Sequence, residues 1–183
     1  GKCKNCLAVK NSSHPDIAEI DAASHTGVDD AREIIQSAEY MPVLGSHKIF
    51  IIDEVHMLSR SAFNALLKTL EEPPRHVLFI FATTEVQKLP ATIISRCQRF
   101  DLKRLSFEQL ASLLNSIATV ENIKVQEAAI RLIAIKSEGS AREAVSMLDQ
   151  LASFAFGQQG AGAEITADAV NSMLGLVSGS VIS

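Results

Sequence analysis

Two adjacent carboxylates close a short apolar run in Ile51-Ile52-Asp53-Glu54. If Lys48 to Ile52 is a buried strand, both acids stand at its C-terminal end, where open α/β sheets bind ligands. An aspartate there can hold Mg²⁺, usually through water, and the glutamate beside it can align a water that attacks a phosphoryl group. The same four residues also describe a strand that ends in a solvated acidic turn. A second apolar run ends in Ala82-Thr83-Thr84, and a parallel neighbour would deliver those hydroxyls to the same crevice. Threonine at a strand end is equally ordinary β chemistry. Beyond it, Ser95-Arg96-Cys97 offers a guanidinium on a short turn. Such a planar, permanently charged group can meet developing phosphoryl charge, although a lone arginine is more often a surface residue. Arg142, in Gly139-Ser140-Ala141-Arg142, would sit in the first turn of a helix. A cation opposes the helix dipole there, which favours a ligand-facing role. Cys3-x-x-Cys6 provides two thiols of the four that a structural zinc site needs. Loose, disordered thiols are the expected state of that pair. Cys97 is remote from it and is expected to pack as a small buried hydrophobe.

The elements that would position these groups alternate. Ile17 to Ile20 reads as a strand and Val28 to Glu39 as a helix with Ile34 and Ile35 inward. Lys48 to Ile52 is too short for a helix and reads as a buried parallel strand. Ser61 to Leu70 places Phe63, Leu66, Leu67 and Leu70 on one helical face, and Pro73-Pro74 stops it. His76 to Phe81 is a further buried strand, and Gln98 to Asp101 a short additional one. Strand–helix–strand order predicts a parallel sheet with right-handed crossovers. After Leu105 the strand patterns cease. Ser106 to Thr119, with Ser106 as its cap before Glu108-Gln109, Gln126 to Lys136 and Ser140 to Phe154 read as helices. Gly157 to Gly162 reads as a linker and Thr166 to Leu174 as a last helix. The expected organisation is an α/β part over residues 1–104, a small helical domain over 105–177, and a tail over 178–183.

Composition narrows the possibilities. A chain of 183 residues with 47% hydrophobic content can bury one sizeable core or a core and a smaller companion. No apolar run approaches the ~18 to 20 residues that span a bilayer, and the opening residues do not form a signal peptide. A net charge of −4 argues against wrapping nucleic acid by charge alone. DNA contact would have to be local or come from partners. Three cysteines are too few for a disulfide framework, so a reducing cytoplasm is expected.

Longer stretches carry a resemblance. Asp53-Glu54-Val55-His56-Met57-Leu58-Ser59 and Phe63-Asn64-Ala65-Leu66-Leu67-Lys68-Thr69-Leu70-Glu71-Glu72-Pro73-Pro74 resemble the AAA+ clamp-loader ATPases. Ala82-Thr83-Thr84, Lys88-Leu89-Pro90, Ser95-Arg96-Cys97 and Gly139-Ser140-Ala141-Arg142 follow in that family's order, and the match runs from about Cys3 to Leu176. With Glu19-Ile20-Asp21-Ala22-Ala23-Ser24, the wording is most similar to the gamma/tau group of bacterial DNA polymerase III.

The resemblance implies an AAA+ nucleotide-binding core of parallel-sheet α/β fold, followed by a helical lid. Asp53 and Glu54 would be the Walker B pair, with Mg²⁺ on Asp53. Thr84 would be sensor 1, with Thr83 as the alternative, and Arg142 sensor 2. Arg96 would be an arginine finger acting in trans on ATP held by the adjacent subunit. Cys3 and Cys6 match the last two of four zinc-binding cysteines, and Arg32 is the candidate DNA phosphate contact. Implied partners are the other subunits of a hetero-pentamer, the sliding clamp, primer–template DNA, the polymerase core and, through a long form, the replicative helicase, with no membrane. ATP, Mg²⁺ and Zn²⁺ belong to the whole protein. No G-x-x-x-x-G-K-[ST] phosphate loop occurs in these residues. In the family it lies upstream of the zinc module, inside which this sequence opens. The expectation is therefore a segment that neither holds ATP tightly nor hydrolyses it alone. Two other readings remain: a relative that only donates Arg96 to a neighbour, and a DExH-type helicase in which Asp53-Glu54-Val55-His56 would be the box.

Overall fold

The computed structural model describes residues 1–159 and 164–173, which divide after Phe100 into two compact units. The first unit opens with helix α1 (Lys4–Lys10) and continues β1 (Ile17–Asp21), α2 (Val28–Glu39), β2 (Lys48–Asp53), α3 (Arg60–Glu71), β3 (Val77–Phe81) and α4 (Ala91–Ile94). The three strands are parallel in the order β1-β2-β3. Asp21 pairs in register with Asp53, and Ile52 with Phe81, so the strands end side by side.

Alternation decides which residues are buried, because successive side chains leave opposite faces of a strand. Phe50, Ile52 and Val77 turn toward Ala31, Ile34 and Ala38 of α2 and Ala62, Phe63 and Leu66 of α3, and form one core. Phe79 stacks on Phe50, with ring centroids 5.4 Å apart, and on Phe81, at 6.0 Å. Leu78 and Ile80, on the other face, remain exposed. The amphipathic helices are well terminated: the Ser59 hydroxyl accepts from the Ala62 amide at the start of α3.

The second unit contains α5 (Phe107–Val120), β4 (Lys124–Val125), α6 (Glu127–Lys136), α7 (Ala141–Gln159), β5 (Glu164–Ile165) and α8 (Ala167–Met173). Leu110, Leu114, Ile130, Ile133, Leu148, Leu151 and Val170 form its core. Ser106 caps α5 as expected, in a reciprocal pair with Gln109.

Three expectations are corrected. Gln98 to Asp101 is irregular and exposed, because no neighbouring strand is present to pair with it among the described residues. Strands do not cease after Leu105, since β4 and β5 form a two-residue parallel pair. Helix α7 continues through Gly157 into the expected linker. The rest of that linker, Leu174 at the end of the last helix, and the 178–183 tail lie outside the described residues.

Candidate active site

Strand β2 delivers Asp53 to the exposed end of the sheet, and the chain then turns sharply. Glu54 adopts left-handed backbone angles, φ 45° and ψ 42°. That conformation is uncommon for a residue with a side chain and costs about 1 kcal/mol or more. Asp53 Oδ1 accepts the Glu54 amide at 2.9 Å, and the Val55 amide donates to the Ala82 carbonyl at 3.0 Å. These bonds lock the turn against the end of β3. Locally strained backbone of this kind concentrates at functional sites.

The side chains from the two strand ends then meet. Thr84 Oγ1 donates to Glu54 Oε2 at 3.3 Å. His56, in the short 3₁₀ helix Val55–Met57, lies with Nδ1 2.9 Å from Thr83 Oγ1 and 3.3 Å from the same Glu54 Oε2. Its Nε2 lies 3.3 Å from Glu85 Oε1. Thr83 Oγ1 also accepts the Glu85 amide at 3.0 Å. The hydrogen bond from Lys88 holds the Glu85 carboxyl below its ordinary value, against the smaller opposing effect of desolvation. Asp53, Glu54, Thr83 and Thr84 are thus brought to one strand-end cluster. His56 and Glu85 are additional members. The only sequence signal for His56 was its place in Asp53-Glu54-Val55-His56.

Arg96 has a different set of partners. Its guanidinium donates to Glu71 Oε1 at 2.7 Å, the Thr92 carbonyl at 2.9 Å and Ser95 Oγ at 3.3 Å. Glu71, the last residue of α3, was not singled out by sequence. Arg142 belongs to the second unit, in the first turn of α7, where Ser140 Oγ accepts the Glu143 amide at 3.3 Å. It lines an open groove of ≈ 810 Å³ with Ile117, Ile123, Val145 and Phe156. Gly139, just before this turn, has φ +87°, and an added Cβ would lie 2.6 Å from Arg104 Cβ. Only glycine fits there. Arg32 is exposed and ion-paired to Asp29 at 2.7 Å.

Cysteine placement differs from expectation. Cys3 precedes α1 and Cys6 lies within it, so the pair sits on a formed helix instead of loose chain. Their sulfurs are 3.4 Å apart, near the ~3.8 Å that two thiolates on one tetrahedral zinc would adopt with Zn–S bonds of ~2.3 Å. Cys97 is exposed instead of buried, because the turn after α4 leaves the chain on the surface. Partial shielding still pushes its thiol pKa above the ordinary value.

The chain is similar to known proteins. The family described as DNA polymerase III, delta subunit, matches residues 1–106, and the clamp-loader ATPase lid domain of DNA polymerase III matches residues 109–159. Subunit tau/gamma of Haemophilus influenzae is 48% identical over 177 residues, covering 97% of this chain and 25% of the relative. Subunit tau of Bacillus subtilis is 50% identical over 153 residues, covering 84% and 27%. The chain therefore spans about a quarter of the length of these relatives. Among solved structures, the RuvB Holliday junction branch migration motor of Thermotoga maritima superposes with a TM-score of 0.73 at 19% identity, covering 93% of this chain and 55% of that one. The fold is the parallel-sheet α/β fold of AAA+ proteins with a helical lid domain. Alike in fold, matched across both units and about half identical to tau and gamma subunits, this chain belongs to the tau/gamma clamp-loader family of DNA polymerase III.

Proposed function

We propose that this chain is the Walker B, sensor and lid portion of a clamp-loader motor subunit, which uses ATP binding and hydrolysis to place the sliding clamp on primed DNA. The observation that carries this reading is the Thr84 hydroxyl donating to Glu54 Oε2 beside Asp53 at the C-terminal end of a parallel sheet. Asp53 is the proposed Mg²⁺ ligand, Glu54 aligns the attacking water, and Thr84 reports on the γ-phosphate from the neighbouring strand. Arg142 contacts nucleotide on its own subunit, and Arg96 serves the adjacent one. Arg32 would reach a DNA phosphate by exchanging its Asp29 partner for it.

The donors fit the metal. Mg²⁺ takes oxygen ligands and keeps several waters, using one or two carboxylates with substrate phosphates. Among the described residues no group of three or more His, Cys, Asp or Glu is placed to hold a metal ion, and Asp53 is the carboxylate proposed here. The ion, when bound, would supply positive charge against the phosphates. Cys3 and Cys6 fit half of a zinc site in the same sense. The proposed setting is the bacterial cytoplasm, within a hetero-pentamer that meets clamp, primer–template DNA, polymerase core and replicative helicase. Among the described residues no helix is long and apolar enough to cross a membrane.

Glu54→Gln in the full-length subunit tests the reading. The amide keeps the shape but cannot serve as a base, so ATP binding should persist while hydrolysis by the assembled loader falls at least 10²-fold, in the range of lost acid–base catalysis. Undiminished turnover would refute the assignment and favour a subunit that only donates Arg96.

A further inference from the structure

The geometry points to His56 as the positioning residue for Glu54. This rests on Glu54 being the water-aligning carboxylate. The His56 side chain is only 7% exposed, yet each ring nitrogen faces an oxygen that accepts hydrogen bonds. Here Nδ1 stands 2.9 Å from Thr83 Oγ1 and 3.3 Å from Glu54 Oε2, and Nε2 stands 3.3 Å from Glu85 Oε1.

A carboxylate oxygen only accepts, so the contact to Glu54 is attractive when Nδ1 carries the hydrogen, and the one to Glu85 is attractive as well only when both ring nitrogens do. The Nδ1–H then donates to the Thr83 hydroxyl, and Glu54 Oε2 lies 3.3 Å from the same nitrogen, so the imidazole stands between the ends of two different strands. Oε2 of Glu54 is gripped from its other side by the Thr84 hydroxyl. A glutamate has three side-chain torsions, and the Thr84 hydrogen bond together with the close imidazole contact restricts where its carboxylate points. The left-handed backbone of Glu54 sets the start of that side chain, and His56 and Thr84 set its end. Without the imidazole, the carboxylate keeps one fixed donor and gains torsional freedom. Misplacement of about 1 Å at a reacting group costs on the order of 10²-fold in rate.

The two nitrogens can be separated by substitution in the full-length subunit, assembled in its loader. Asparagine places an amide nitrogen near Nδ1, and glutamine places one near Nε2. His56→Ala should lower kcat roughly 10- to 100-fold, with the dissociation constant for a fluorescent ATP analogue changed less than about 2-fold. His56→Asn should recover most of kcat, and His56→Gln should not. Recovery by Gln as good as by Asn would overturn the inference, because the tie to Glu85 would then be the one that matters. If thermal melting shows that the alanine variant does not fold, the Asn and Gln pair decides alone. Glu54→Gln is run in parallel. An inactive Glu54→Gln beside a fully active His56→Ala overturns this inference only, whereas an active Glu54→Gln overturns the role of Glu54 and this inference with it.

Discussion

Asp16 gives the sharpest test of how the sheet is held. It is 1% exposed, yet charged, and lies just before β1. Its carboxylate accepts three successive backbone amides, from Val43 at 2.5 Å and from Leu44 and Gly45 at 2.7 Å each. The loop it captures leads into β2 and exposes Tyr40, Met41 and Val43. Desolvation, the largest single influence, raises the Asp16 pKa. The amides of Val43, Gly45 and Leu44, with the charge of His14, together outweigh it and leave the value lowered. In Asp16→Asn the side-chain oxygen can keep the Leu44 and Gly45 amides, and its NH₂ then confronts the Val43 N–H. One charge-assisted bond is lost and one donor orphaned, a cost of about 2–3 kcal/mol. Asp16→Ala orphans all three amides, about 1–3 kcal/mol each if none finds water, so about 3–9 kcal/mol in total. Detachment of the loop into solvent caps that figure.

The protein carries its own probe. Tyr40 is the single tyrosine and there is no tryptophan, so intrinsic fluorescence reports this loop. Urea unfolding followed by circular dichroism gives global stability, and Tyr40 emission gives the local event. Asp16→Ala should shift the Tyr40 transition furthest. The pH dependence has a definite sign. The folded pKa lies below the ordinary 3.8, so the stabilisation is fully present above pH 3.8 and is lost as pH falls through the lower folded value. The gap between wild type and Asp16→Asn should therefore close on acidification below pH 3.8. A gap under ~0.5 kcal/mol at neutral pH, the size of a surface substitution, would refute the reasoning.

The remaining expectations concern nucleotide and metal. Arg96→Ala in the full-length loader should leave ATP affinity nearly unchanged while depressing DNA-stimulated hydrolysis, by less than the ~10³–10⁵ of a sole finger because several sites share the work; a normal rate would make Arg96 structural. For the isolated 183-residue chain, calorimetry with ATP and Mg²⁺ should find no low-micromolar binding, because no phosphate-loop sequence is present. Elemental analysis of the same chain should find less than one zinc per monomer, since Cys3 and Cys6 supply two ligands of four.

Much of the fold was legible because its elements are strongly patterned. Helix α2 has the extent that its periodicity predicts, and β1, β2 and α3 differ by about a residue at their ends. Apolar residues at helical spacing and runs too short for a helix leave few alternatives. Where the pattern was weak, the reading failed. The apolar residues near Gln98 are exposed, Phe100 at 75% and Leu102 at 96%, so no buried face defined a strand there. The two-residue pair of β4 and β5 joins positions forty apart, Lys124 and Glu164, and is too short to leave a pattern. At the site, individual acids and hydroxyls could be named from sequence, but their partners could not. That Thr84 meets Glu54, or that Arg96 meets Glu71, depends on where separate strands and helices end.

The strand ends also explain why acids that look alike in sequence differ in the structure. Asp21 and Asp53 are register partners at the ends of adjacent strands, both exposed. Asp21 is occupied by its own turn: Oδ1 accepts the Ala23 amide at 2.8 Å, and Oδ2 accepts the Ser24 hydroxyl at 3.2 Å. A carboxylate that closes a turn with both oxygens would have to give up those bonds to bind a metal. Asp53 spends Oδ1 on the Glu54 amide, and that bond also holds the left-handed turn that sends Glu54 toward Thr84. The aspartate proposed to hold Mg²⁺ is thus the one whose hydrogen bond fixes the next carboxylate in place. Removing it would cost more than a ligand. Asp53→Asn retains an oxygen able to accept the Glu54 amide, whereas Asp53→Ala releases the turn. The pair therefore separates the charge of Asp53 from its geometry.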